Sequence, residues 1–276
     1  MSRSARRRGL LAAVTVTALA CTPLASAAGS DAAARPSSPK PTIVLEHGAF
    51  ADASGWNTVT ARLQKAGYTV IAPANPLRGL SEDSARLASV LGGITGPVVL
   101  VGHSYGGAVI TQAAAGNPDV KALVYIAALM PDAGENLGAL AARSTESQLA
   151  SALRPLPYQD ADGSQGAELF IDPARFRAVF AADLPAARTD VMAAGQRPVD
   201  AGAFSDTATA AAWRTIPSWA LIAKQDRTLG ADLERFEARR ANASTVEINS
   251  SHAALISHPT AVTDLIVTAA RTAGRN

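Results

Sequence analysis

One serine of the chain stands in a setting that can make it a nucleophile. Ser104 is the centre of a G-x-S-x-G motif at residues 102–106, which follows the apolar segment Val98–Val101 and precedes a segment of helical length. A sharp strand-to-helix turn of this kind strains the serine backbone and pushes its hydroxyl clear of the sheet edge. The flanking glycines give the turn the room it needs. Ser104 is therefore the predicted nucleophile.

A serine hydroxyl needs a base within hydrogen-bonding reach before it can attack at neutral pH. The chain has four histidines, and His252 lies in a loop directly after the apolar segment Thr245–Ile248. The carboxyl ends of parallel strands share one edge of a sheet, so this loop is expected at the same edge as Ser104. His252 is the predicted general base. His47, His103 and His258 are expected to have structural roles or, for His47, a place in the oxyanion loop.

The base in turn needs a carboxylate that fixes its tautomer and stabilises its charged form. In this architecture the expected chain order is serine, acid, histidine. Asp226 follows the apolar segment Trp219–Ile222, one strand before His252, and is the predicted acid. Asp132, which follows the segment Ala122–Ile126, is the alternative.

The same reasoning predicts the groups that surround the reacting carbon. Preorganised N–H groups must stabilise the developing oxyanion. The backbone N–H of Tyr105, directly after the nucleophile, is one expected donor, and that of Ala49, in the loop after the first strand, is the other, with Phe50 as second choice. Phe50, Leu129 and Met130 are the predicted pocket residues, from their position beside these motifs.

The rest of the chain supplies the elements that must position these residues. Short apolar runs predict strands at 42–45, 69–72, 98–101, 122–126, 219–222 and 245–248, and helices are expected at 53–66, 81–91, 106–115, 231–241 and 261–273. This alternation predicts an α/β fold with a mostly parallel sheet of about six strands and helices on both faces. Residues 132–215 exceed one crossover and are expected to form a helical cap.

The N-terminus has the features of an export signal. Four arginines precede the apolar stretch Gly9–Ala20, and an A-x-A cleavage site ends at Ala27. We therefore expect a signal peptide at 1–27, by the Sec or Tat route, a flexible linker at 28–41, a hydrolytic domain at 42–276, and a secreted protein. A lipid anchor on Cys21 is disfavoured, because the residues before it match a lipoprotein cleavage site poorly.

Composition excludes several other classes of function. The chain has 25 Lys+Arg and 23 Asp+Glu, and cleavage after Ala27 removes four arginines and no acids, which leaves a net charge of −2. With no basic cluster remaining, nucleic-acid binding is not expected. No metal-ligand spacing and no glycine-rich dinucleotide loop is present, so no metal and no cofactor is predicted. The expected partner is a small-molecule ester, without a stable membrane anchor; the oligomeric state is left open.

Together these motifs resemble the α/β-hydrolase superfamily. Within it the chain is similar to the group of small serine esterases, plant methylesterases and hydroxynitrile lyases. The stretches that carry the resemblance are LEHGAF at 45–50, GHSYGG at 102–107, Asp226, SHA at 251–253 and SHP at 257–259. The resemblance implies a serine hydrolase fold and mechanism. Lyases of the group carry Thr and Lys where this chain has Gly48 and Ala253, so the resemblance favours the esterase.

These features lead to one main hypothesis and two alternatives. The main one is a carboxylesterase that forms an acyl-serine on small to medium esters. A cofactor-free lyase or perhydrolase acting through the same three residues is the first alternative. A ligand-binding protein without activity is the second, and it is disfavoured because all three residues are in place.

Overall fold

A computed structural model describes residues 13, 15 and 40–273. The strands are β1 (Thr42–Glu46), β2 (Val70–Ile71), β3 (Val98–Ser104), β4 (Val120–Ala128), β5 (Leu153–Gln159), β6 (Gln165–Ile171), β7 (Val199–Asp200), β8 (Ser218–Ala223) and β9 (Ser244–Ile248). The helices are α1 (Asn57–Lys65), α2 (Leu80–Gly92), α3 (Tyr105–Ala113), α4 (Leu137–Ala141), α5 (Leu149–Ala152), α6 (Pro173–Phe180), α7 (Ala186–Ala194), α8 (Ala231–Arg240), α9 (Ala254–Ser257) and α10 (Pro259–Ala273).

Six of the strands form the central sheet, in the order β2-β1-β3-β4-β8-β9, and every neighbouring pair is parallel. All seven residues of β3 are buried, as expected for an apolar strand covered on both faces. The predicted sheet of about six strands is confirmed. Because β1, β3, β8 and β9 run in the same direction, the loops that follow them meet at one edge of the sheet.

The two faces of the sheet carry separate hydrophobic cores. Alternate residues of β1 and β3 point to opposite faces, so that Val44 and Leu100 belong to one core and Leu45 and Val101 to the other. The first core contains side chains of α2, α3, α8 and the cap. The second contains those of α1, α9 and α10. This arrangement fixes β3, and with it the turn at Ser104, from both sides.

The cap lies between β4 and β8 and is only partly helical. It contains α4 to α7, but also a three-stranded antiparallel sheet in the order β5-β6-β7. In the first part of the cap, which is expected from the sequence to be helical, the chain forms only the short helices α4 and α5 and then continues as β5. Pro155 and Pro157 explain the change, since proline interrupts a helix and is tolerated in an edge strand. A purely helical cap is therefore an incomplete description.

The predicted signal peptide at 1–27, apart from residues 13 and 15, lies outside the residues that the structure describes, and so does Cys21, where a lipid anchor is disfavoured. The same holds for the predicted linker at 28–41, apart from its last two residues. Among the described residues, no helix has the length and apolar character needed to cross a membrane.

Candidate active site

The turn at Ser104 is as tight as the sequence predicts. Ser104 has φ 57° and ψ −128°, a conformation that is rare for a residue other than glycine, and it immediately precedes α3. A Cβ atom on Gly102 would lie 2.6 Å from Gly106 O, and one on Gly106 would lie 2.8 Å from Glu46 O. Both contacts are with backbone, which cannot move aside as a side chain can. The glycines therefore permit a turn that no larger residue would.

The loop after β1 packs directly against the serine. A Cβ atom on Gly48 would lie 2.6 Å from Ser104 Cβ and 3.2 Å from Ser104 Oγ. The N–H of Phe50 donates to Arg197 O at 3.0 Å, so it is already engaged. Within residues 40–273 the N–H of Ala49 donates to no backbone or side-chain acceptor. Of the two expected donors in this loop, Ala49 thus has the free N–H.

Tyr105 is the first residue of α3, so its N–H has no acceptor within the helix. Its phenol points elsewhere and donates to Asp83 Oδ2 at 2.7 Å. Only the backbone N–H of Tyr105, and not its phenol, is therefore available as a hydrogen-bond donor beside Ser104.

The structure pairs His252 with Asp226. His252 Nδ1 donates to Asp226 Oδ2 at 2.6 Å, and both side chains are fully buried. With the proton on Nδ1, the other ring nitrogen carries a lone pair and can accept a proton. That nitrogen, Nε2, is buried and has no hydrogen-bond partner among the described residues. An imidazole held at one nitrogen and free at the other is the arrangement a general base requires.

Asp226 is itself fixed by its own turn. Its Oδ1 accepts the N–H groups of Thr228 at 2.6 Å and Leu229 at 3.0 Å. Burial acts to raise the pKa of Asp226, but the nearby His252 and the hydrogen bonds to the carboxylate outweigh it, and the pKa is lowered. Asp226 is therefore ionised at neutral pH and oriented toward His252.

The alternative acid, Asp132, faces a different partner. Its two carboxylate oxygens accept Nε and Nη2 of Arg214 at 2.8 and 2.5 Å, and this ion pair lowers the pKa of Asp132. Asp132 belongs to a bidentate surface pair at the edge of the cap.

His103 lies behind the base. Its Nε2 donates to the carbonyl of His252 at 3.0 Å, and the two ring centroids are 4.7 Å apart. Trp56 and Phe180 contact its ring edge to face. Burial lowers the pKa of His103 to about 3, so the ring is neutral. His103 therefore supports the backbone at His252, a role that its place in the turn motif did not indicate.

The other two histidines also have structural contacts. His47 Nδ1 donates to Gly48 O at 2.9 Å and its Nε2 accepts Asn75 N–H at 3.0 Å, which fixes the loop after β1. His258, directly before α10, lies 2.8 Å from Ser257 Oγ through its Nδ1.

The end of α6 bonds to both loops that carry the acid and the base. Val179 O accepts Thr228 Oγ1–H at 3.0 Å, and Phe180 O accepts Ala253 N–H at 3.1 Å. Asp183 accepts both the hydroxyl and the N–H of Ser251. We call Val179, Phe180 and Asp183 the α6 clamp. No sequence signal identified it, because every contact joins residues that are distant in the chain.

The predicted pocket residues separate into two environments. Phe50 lines a cavity of about 220 Å³ between the loop after β1, α7 and Ile256. Leu129 and Met130 are each only 1% exposed. Their N–H groups bond to Ser104 O and to Glu237 Oε1, which places them as packing behind the turn.

Among residues 40–273, no cluster of three His, Cys, Asp or Glu side chains could hold a metal ion.

Comparison with known proteins agrees with this architecture. The model of the "Alpha/beta hydrolase family" matches residues 43–265. The solved structure of polyneuridine aldehyde esterase is similar, with a TM-score of 0.72 at 19% identity over 83% of this chain and 99% of that one. The alpha/beta hydrolase nvfD of Aspergillus novofumigatus is 27% identical over 84% of this chain and 97% of its own.

A carbendazim hydrolyzing esterase of Nocardioides sp. (strain SG-4G) is 36% identical over 111 residues, which are 36% of this chain and 46% of the relative. The chain thus spans less than half of that relative in the match, while the family model covers most of the sheet and the cap. The predicted fold and family are confirmed by these matches. The chain belongs to the alpha/beta hydrolase family.

Proposed function

We propose that the protein is a serine carboxylesterase in which Ser104 is the nucleophile, His252 the general base and Asp226 the acid that orients the base. One observation carries the proposal. A fully buried imidazole is held at Nδ1 by a carboxylate and has no partner at Nε2 among the described residues. Its loop lies at the same edge of the sheet as a serine with a strained backbone. The esterases among its relatives support the same class of reaction.

In the proposed mechanism His252 Nε2 takes the proton of Ser104 Oγ as the oxygen attacks the ester carbonyl carbon. The oxyanion accepts hydrogen bonds from the N–H groups of Ala49 and Tyr105. His252 then returns the proton to the departing alcohol, and an acyl-serine remains. Water, deprotonated by His252, attacks the acyl carbon, and the acid product leaves with Ser104 restored.

Small to medium esters are the proposed substrates. The cavity beside Phe50 has a volume of about 220 Å³ and is lined partly by Val191, Met192 and Ile256. A second cavity of about 310 Å³ lies in the cap, with Leu149 and Phe204 among its lining residues. Volumes of this size suit a short acyl chain or a single ring rather than a long lipid chain.

A lyase reaction is less well supported by the geometry. The lyases that the sequence resembles carry a threonine at the position of Gly48. Here a Cβ atom would lie 2.6 Å from Ser104 Cβ, so a threonine would require the loop or the turn to shift. We therefore keep ester hydrolysis as the proposed reaction.

Hydrolysis of p-nitrophenyl esters from acetate to laurate, by the wild type and by Ser104→Ala, tests the proposal. We expect the highest kcat/KM on the short esters and a loss of at least about 10³-fold in Ser104→Ala. A preference for laurate would contradict the small substrate. Equal activity in the variant, or none in the folded wild type, would overturn the esterase.

We also propose that the protein is exported, from the signal-like residues 1–27. Expression of the full chain, followed by N-terminal sequencing of the protein in the culture medium, tests this. The expected first residue is Ala28. Retention of the whole chain inside the cell would contradict the proposal.

A further inference from the structure

Behind Asp226 lies a second carboxyl group that the proposed mechanism does not use. Glu234, in α8, is 3% exposed. Its Oε2 accepts the N–H of Ala223, the last residue of β8, at 2.9 Å. Ala223 O in turn accepts the N–H of Asp226 at 3.0 Å. Glu234 is thus bonded to the same short turn that carries the acid.

Protonation of Glu234 would remove an unpaired negative charge from its other carboxyl oxygen. Oε1 is buried and has no donor among the described residues. A hydrogen bond between the Glu234 and Asp226 carboxyl groups is among the causes that lower the pKa of Asp226 and raise that of Glu234, and such a bond requires a proton between the two groups. Two carboxylates side by side without solvent would repel each other strongly, so one of them must stay protonated.

The surroundings decide which of the two keeps the proton. Asp226 has His252 and two N–H groups as partners, and its pKa is lowered. For Glu234, burial and then the charge and hydrogen bond of Asp226 raise the pKa well above its ordinary value. Its titratable neighbour on α8, Glu237, has a pKa raised to about 8 by burial. Arg235 on the same helix points outward to Glu247.

We propose that Glu234 is a neutral carboxylic acid that donates a hydrogen bond to Asp226 and so holds the Asp226 carboxylate on His252 Nδ1. Glu234 is thus a positioning residue, which acts on the reaction only through Asp226. This inference rests on the proposed function, because the alignment of the base matters only if His252 is one.

Two substitutions separate this role from simple packing. In Glu234→Gln the amide can donate to Asp226 while its carbonyl accepts Ala223 N–H, so both contacts persist. Glu234→Leu removes both. Glu237→Leu is the matched control, since it also deletes a buried carboxyl of α8 that accepts a backbone N–H, that of Met130, but Glu237 makes no hydrogen bond to Asp226.

The experiment uses protein purified from expression of the full chain, with p-nitrophenyl acetate as substrate. We expect Glu234→Leu to lower kcat about 30-fold with KM within about twofold, and Glu234→Gln to recover kcat to within about threefold of the wild type. Thermal unfolding of each variant shows whether it is folded. If Glu234→Gln is as impaired as Glu234→Leu, or if Glu237→Leu is equally impaired in kcat, the inference is overturned.

A second measurement does not depend on esterase activity. The Nδ1 proton of His252, held by Asp226, is expected as a downfield ¹H NMR resonance that disappears in Asp226→Asn. It should persist in Glu234→Gln and Glu237→Leu and be lost or strongly shifted in Glu234→Leu. An unchanged resonance in Glu234→Leu would overturn the inference even if ester turnover showed the proposed function to be wrong.

Discussion

The two halves of the candidate site are held in different ways. The nucleophile half consists of Ser104, its turn and the loop after β1, and it is fixed by close contacts between backbone atoms, such as the 2.6 Å that would separate a Gly102 Cβ from Gly106 O. The half with the acid and the base consists of two loops tied by hydrogen bonds to the end of α6, to Asp183 just after it and to α8. Steric packing fixes the first half, and a network of directional bonds aligns the second.

Each half also contains a buried carboxyl group, and the two groups differ in their hydrogen-bond partners. Glu234 in the second half has Asp226 as an acceptor for its proton. Glu46, at the end of β1 in the first half, is 1% exposed, and its Oε2 has no partner among the described residues. Burial, and then the charge of Asp83, raise the pKa of Glu46 to about 9. Glu46 therefore lowers stability as the pH rises above about 4.5.

The largest predicted effect follows from Glu46. Its pKa is higher in the folded state than in the unfolded state, so the folded state retains a proton that the unfolded state releases above about pH 4.5. Stability therefore falls as the pH rises from about 4.5 to about 9. We expect Glu46→Gln to match the wild type at pH 5 and to exceed it by up to about 4 kcal/mol at pH 8. Denaturant unfolding at both pH values measures the difference.

A constant difference between Glu46→Gln and the wild type across that range would contradict the buried, protonated state. Because the Glu46 side chain has no hydrogen bond to Ser104, Asp226 or His252 among the described residues, kcat should change little, whereas changes at Glu234 should lower it. The same pair of measurements thus separates a carboxyl that only affects stability from one that aligns the acid.

Gly102→Ala tests the steric character of the nucleophile half. The new methyl group would meet three backbone atoms of Gly106 and Gly107 within 2.8 Å. Overpacking of this kind costs about 3 kcal/mol, which corresponds to a Tm about 6–12 °C lower in a domain of this size. Gly92→Ala is the control, because a Cβ atom there has no neighbour within 4 Å. Equal melting temperatures for the two variants would show that the turn adapts.

The α6 clamp gives a smaller effect, on rate more than on stability. Asp183→Ala leaves the buried N–H and hydroxyl of Ser251 without their acceptor, next to His252. We expect kcat to fall about tenfold, equivalent to about 1.4 kcal/mol, with KM nearly constant. Asp190→Ala, an exposed position on α7, is the control and should keep full activity. A rise in KM with kcat unchanged would place Asp183 at the substrate instead.

His103→Phe is predicted to have the smallest effect. Phenylalanine keeps the aromatic contacts with Trp56 and Phe180 but cannot donate to His252 O. Leaving one carbonyl without a donor costs about 1 kcal/mol. We expect kcat to fall about threefold to fivefold in steady-state ester hydrolysis. A loss as large as that of Ser104→Ala would instead make His103 part of the chemistry.

The difference between the two halves also explains which of their features could be predicted from the sequence. The turn at Ser104 is encoded by neighbouring residues, and so its strand, glycines and helix were all predictable. The strand before Asp226 was predictable as a continuous apolar run, and the strand before His252 from its β-branched residues, although Glu247 interrupts that run. The contacts of Asp183 and His103 join residues far apart in the chain, and no local pattern reports them.

Glu234 and the cap sheet were missed for different reasons. In α8, Ala231, Glu234 and Ala238 follow helical spacing on the buried side, so a search for acids on an apolar face could have found Glu234. In β5 most residues are exposed, and the apolar run that marks the other strands is absent. The hairpin is defined by its pairing with β6, which the sequence of β5 alone does not reveal.

The α6 clamp also limits how the cap can move. One end of α6 bonds to the loops of both Asp226 and His252. The cap therefore cannot move away at that end without breaking hydrogen bonds that hold the loops of the acid and the base in place. Any opening that admits a ligand must therefore involve other parts of the cap, such as α7 beside the Phe50 cavity. It also follows that the loops of Asp226 and His252 have all their supporting hydrogen bonds only when α6 is docked, so the candidate site is complete only in the fully folded chain.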